Sequence, residues 1–126
     1  MATTGIRNDT HAETIRLDIH EVVRQLNSHL GPTLVATLAN VRDSKLPHKW
    51  AKADGNVPRP ESMRRLLAAH RIWSDISNAD SDTVARAWFI GANPRLGEIS
   101  PIMALREGDE RSALAAAKAF VEGTDD

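Results

Sequence analysis

The 126-residue sequence contains no cysteine. That excludes disulfides, thiolate nucleophiles and cysteine-ligated zinc, and it gives no sign of an oxidising compartment. Tyrosine is absent too, and aromatic residues make up only 4% of the chain. Long apolar runs are lacking: none approaches the roughly 20 residues that cross a bilayer. Met1–Thr10 has no apolar stretch of the signal-peptide kind. Residues 1–16 are therefore expected to form a disordered lead, with the cytoplasm as the default location. Catalytic signatures are missing as well. The five histidines show no HExxH-like spacing, and His20 and Glu21, as neighbours on a helix, point apart. Gly91 and Gly97 read as helix stops, not as a phosphate cradle. No enzyme activity, cofactor or metal is expected.

What is present is helical periodicity. Ile19, Val22, Val23, Leu26 and Leu30 form one apolar stripe. Asp18 is placed to cap that helix, with Glu21 completing a capping box, and Gly31-Pro32 ends it and starts the next. A short helix over Leu34, Val35 and Leu38 ends near Asn40. A third is predicted over about 44–53, capped by Asp43 or Ser44, with Pro47 inside its first turn. Pro60 opens a long helix to about Asn78, with Met63, Leu66, Leu67, His70, Trp73 and Ile76 on its buried stripe. The spacing then predicts helices from a cap at Asp80 or Ser81 to Gly91, from Ser100-Pro101 to Gly108, and from Asp109 to Gly123. On the last, Leu114, Ala117, Phe120 and Val121 pack inward. Trp50, Trp73 and Trp88 read as core or interface anchors. The reading is all-α: a helix-turn-helix domain over 17–79, a small helical module over 80–123 and an acidic tail at 124–126.

Charge is segregated. Residues 42–71 carry eight basic and three acidic side chains, net +5, whereas residues 72–126 carry five basic and ten acidic, net −5. Two faces with different partners follow from that asymmetry. In the basic segment, two short helices meet at a tight turn, and the second offers long donors of the kind that reach base edges and phosphates. Ser44, Lys45, His48, Lys49 and Lys52 are the candidate DNA contacts, with Arg42, Arg59, Arg64 and Arg65 on flanking phosphates. Pro47 takes the place of one contact residue and shortens the usable helix.

The stretch Val84–Gly123 is patterned at fixed offsets: Ala85, Trp88, Asn93-Pro94, Leu96-Gly97, Ser100-Pro101, a short apolar helix, Gly108, and an Ala/Leu helix ending at Gly123. This pattern resembles the C-terminal domain of the Xre/MbcA/ParS-type antitoxins, in which it follows an Xre-like helix-turn-helix. Val41-Arg42-Asp43, Lys49-Trp50, Pro58-Arg59-Pro60 and Ala87-Trp88-Phe89-Ile90-Gly91 are similar to actinobacterial or mycobacteriophage-type members. The resemblance implies an antitoxin that represses its own promoter and holds a partner toxin inactive, typically a RES-domain enzyme that degrades NAD. Its toxin-contacting residues would be Arg95, Glu122, Gly123, Thr124, Asp125 and Asp126. Its partners would be double-stranded DNA, the toxin and a second copy of the chain, since dimers read paired half-sites. Two alternatives stand beside it: a stand-alone helix-turn-helix regulator, and an interaction module without DNA binding.

Overall fold

Short-range capping chemistry places nearly every helix end. The computed structural model describes residues 18–123. The lead over 1–16 and the tail over 124–126 lie outside them. Helix α1 (Ile19–Leu30) starts where the Asp18 carboxylate accepts the His20 N–H, and it stops at Gly31. Helix α2 (Pro32–Ala39) has proline at its first position and closes on Asn40 in the left-handed region, φ 64° and ψ 43°. Asparagine tolerates that conformation better than most residues with a Cβ. Helix α3 (Leu46–Trp50) is a single turn and a half. Helix α4 (Pro60–Ala79) is the longest. Ser81 caps α5 (Asp82–Ile90), Asn93 caps a 3₁₀ turn (Pro94–Leu96), Ser100 caps α6 (Pro101–Arg106) and Asp109 caps α7 (Glu110–Glu122). Seven α-helices and no strand are found among the described residues, so the fold is all-α.

Four details differ from the sequence reading. The capping box at Asp18 is half formed, because Glu21 binds Arg24 and Gln25 on the next turn instead. Helix α3 is five residues long, about half the length predicted. Asp43 accepts the Lys45 N–H in a turn ahead of the helix. Beyond Trp50 the chain folds back so tightly that a Cβ on Gly55 would collide with the Lys49 carbonyl. On α4, Leu67 is 43% exposed, and Ala68 and Ala69 are buried in its stead. On α7, Val121 is 39% exposed while Ala113, Ala116 and Ala119 turn inward.

Helix α4 is the axis of the packing, lying against α1, α2, α5, α6 and α7. One apolar cluster joins Val22, Leu26, Val35, Leu38, Trp50, Leu66, Ile72, Phe89, Ile102, Leu105 and Ala117. Residues on both sides of the turn at 80–81 therefore share a core. Two arginines stitch the same seam. Arg65 on α4 donates through Nε to the Leu105 carbonyl at 2.9 Å, and Arg106 on α6 donates to the Thr37 carbonyl at 2.8 Å.

A polar corner closes α1, α4 and α5. Trp73 Nε1–H donates to Asp82 Oδ1 at 2.8 Å, and His29 Nδ1 lies 2.9 Å from that oxygen. The His29 ring stacks on Trp73 with centroids 4.2 Å apart. The Trp73 N–H and His29 hold the Asp82 carboxyl below the usual carboxylate range. Next to it, His70 Nε2–H donates to Gln25 Oε1 at 2.7 Å. Partial burial lowers the His70 pKa from its ordinary 6.5, and the charge of Glu21 opposes that shift. A histidine with a lowered folded pKa binds its proton more readily when unfolded. Its contribution to stability is thus complete above pH 6.5 and is lost as pH falls from there toward the folded pKa. Urea unfolding at stepped pH should show His70→Gln, which keeps a donor toward Gln25, losing less stability than the parent across that window. An equal loss in both would disprove this role.

A candidate nucleic-acid interface

Helix α3 is amphipathic on the scale of a few residues. Lys45, His48, Lys49 and Lys52 are all exposed and fall at i, i+3, i+4 and i+7, which is one face of a helix. The stripe outlasts the regular helix because Lys45 and Ala51, the flanking residues, also have right-handed helical backbones. None of the four side chains is in an ion pair among the described residues. Leu46, Pro47, Trp50 and Ala51 form the opposite face. Pro47 and Trp50 are buried. Pro47 therefore does not displace a contact residue, as its position in the sequence suggested. It sits on the core side, where its ring packs and its missing N–H falls in the first turn. Ser44 and Arg42 are exposed in the turn that leads into the helix.

A five-residue helix has no stability of its own, so its neighbours must hold it. Two side chains of α1 do so through backbone carbonyls of α3. His20 Nδ1–H donates to the Trp50 carbonyl at 2.7 Å, and Asn27 Nδ2 donates to the Pro47 carbonyl at 3.0 Å. The preceding turn is fixed from two further directions. Ser62, itself buried, donates to the Ala39 carbonyl at 2.8 Å, and Arg106 reaches Thr37. The Trp50 and Ala39 carbonyls close their helices, where intrahelical partners run out; the Pro47 and Thr37 carbonyls take these bonds in addition to the N–H groups of Ala51 and Asn40. Sequence reading gave none of these four residues, His20, Asn27, Ser62 and Arg106, a part in holding α3. The bonds these four make span 20 to 69 residues, beyond any local pattern. Removing one such bond by His20→Ala or Asn27→Ala is expected to raise amide exchange at Ala51 and Lys52 about fivefold. Exchange in α7 should be unchanged. Uniform acceleration across the chain would mean that these bonds carry global stability instead.

The other sequence-predicted residues are scattered. Arg59 is exposed at the start of α4. Arg64 is exposed, with Nε 3.7 Å from Glu110 Oε1. Arg65 is engaged by the fold through Leu105 and through the Glu61 carbonyl at 2.8 Å. Arg95 lies exposed in the 3₁₀ turn, where Asn93 Oδ1 accepts its backbone N–H. Glu122 and Gly123 are exposed at the end of α7. Glu122 lines a groove of about 710 Å³ between α4 and α7. Thr124, Asp125 and Asp126 lie outside the described residues.

Among the described residues, no cluster of three or more His, Asp or Glu side chains is arranged to hold a metal. No helix there is long and apolar enough to cross a membrane. No family model, curated protein or solved structure matches the chain.

Proposed function

We propose that this protein is a DNA-binding antitoxin of the Xre/MbcA/ParS type. In this reading α2, the turn at Asn40 and α3 form the helix-turn-helix, and α3 lies against duplex DNA. The observation that carries the proposal is the exposed stripe of Lys45, His48, Lys49 and Lys52, in no ion pair among the described residues, on a helix bonded by His20 and Asn27 of α1 and packed against α2. Long cationic donors on one face supply backbone affinity and reach base edges in the major groove. The fixed mounting removes the ordering penalty that a mobile basic loop would bear on binding. A second copy would present two such stripes to paired half-sites.

The toxin-neutralising half of the proposal rests on the resemblance of 84–123 to the antitoxin C-terminal domain. Arg95 and the segment from Glu122 to Asp126 are assigned to the toxin, the acidic tail being suited to a basic, phosphate-binding active site. The partner is a NAD-degrading enzyme of the RES kind, encoded beside this gene. Two experiments test the proposal. Fluorescence anisotropy with the duplex upstream of the gene should show tighter binding than a scrambled duplex of equal length. Co-expression should rescue cells from the toxicity of the neighbouring reading frame. Equal affinity for both duplexes would remove operator recognition, and failure of rescue would remove the antitoxin assignment.

A further inference from the structure

A second basic feature lies off the α3 stripe. The turn after α2, the buried side of α3 and the first turn of α4 enclose a cleft of about 690 Å³. Three arginines, Arg42, Arg59 and Arg65, and two acidic residues, Asp43 and Glu61, are among the residues that line it. None of these five side chains is in an ion pair among the described residues. Arg65 differs from the other two. Both of its hydrogen bonds go to backbone carbonyls, so its guanidinium is held in place by groups that carry no formal charge. Arg42 and Arg59 are exposed at the rim. The first turn of α4 has no side-chain cap, and its end adds partial positive charge to the same wall. Trp50, nearly fully buried, closes the cleft below.

We propose that this cleft is an anion site for a phosphate group, gripped by Arg42 and Arg59 above the fixed charge of Arg65. Guanidinium forks match phosphate oxygens in geometry as well as charge. A fixed cation beneath two adjustable ones lets the site close on its ligand without having to order the third charge. The same chemistry serves a nucleic-acid phosphodiester or a free phosphate, and the site does not depend on how α3 meets DNA.

The test is a titration of the full chain, followed by amide NMR, with inorganic phosphate and separately with the dinucleotide dTpT, at ionic strength held constant with chloride. Saturable shifts confined to residues 42–43 and 59–62 are expected. Arg42→Ala or Arg59→Ala should weaken them about tenfold, the worth of one charge-assisted hydrogen bond. Replacing Lys45, Lys49 and Lys52 together by Ala should leave them unchanged. Saturation by dTpT alone would identify a nucleic-acid backbone as the ligand, and saturation by inorganic phosphate alone would identify a small anion. No saturation by either, or binding that survives Arg42→Ala/Arg59→Ala, would overturn the proposal. Both rim arginines are exposed, so a fold change is not expected, and the spectrum of each variant checks this directly.

Discussion

Replacing Lys45, Lys49 and Lys52 together by Ala is expected to weaken duplex binding by about two orders of magnitude at 0.15 M salt. Each phosphate neutralised by a lysine releases counterion, and the observed affinity varies with salt to a power of about −0.9 per contact. At 0.15 M that is a factor of about five per lysine, and three lysines compound to about 150. The slope of log affinity against log salt should flatten by about 2.7 at the same time. The three side chains are exposed and outside any ion pair among the described residues, so the thermal midpoint should hold. An unchanged slope would place the DNA contacts elsewhere.

The second large effect concerns the core. Phe89 on α5 is fully buried, with its ring edge-on to Trp88 at 5.6 Å and 80°. Phe89→Ala removes a large apolar side chain and leaves a cavity, a change that costs about 3–5 kcal/mol. For a domain of about 100 residues this lowers the thermal midpoint by about 15–25 °C. Phe89 shares its cluster with Leu66 and Ile72 of α4 and with Trp50 of α3. The indole signals of Trp50 and Trp88 are therefore expected to lose their native positions together, in one transition. Loss of the Trp88 signal while Trp50 stays native would mean that residues 18–79 fold on their own.

Much of the architecture was legible because it is written in short-range chemistry. Asp18, Ser81, Ser100 and Asp109 cap the helices that follow them, and Pro32, Pro60 and Pro101 each stand in a first turn. Gly31 and Gly123 end helices with positive φ. Such signals need only neighbouring residues. The all-α class follows from them and from the absence of strand patterns.

The candidate interface was legible in part. The lysines and His48 could be read as one face from their spacing alone. The role of Pro47 could not, because the face it occupies depends on how α1 packs over α3. The same holds for Arg65. The run of basic residues shows its charge but not what fixes it, since the Leu105 carbonyl that holds it lies 40 residues away. Gly108 packs beside its guanidinium with a φ of 86°, a pairing with no sequence signature. Leu67 fits the apolar period of α4 but sits at its edge, where Ala68 and Ala69 let neighbouring helices approach. In each case the deciding contact is long-range.

The most direct test of the central claim, that α3 is the surface this protein lays on DNA, is amide-shift mapping of the full chain during titration with the upstream duplex. The account predicts that the largest shifts fall within residues 42–53 and grow as salt is lowered. Shifts centred on the 3₁₀ turn at 94–96 or on α7, with residues 42–53 unmoved, would contradict it.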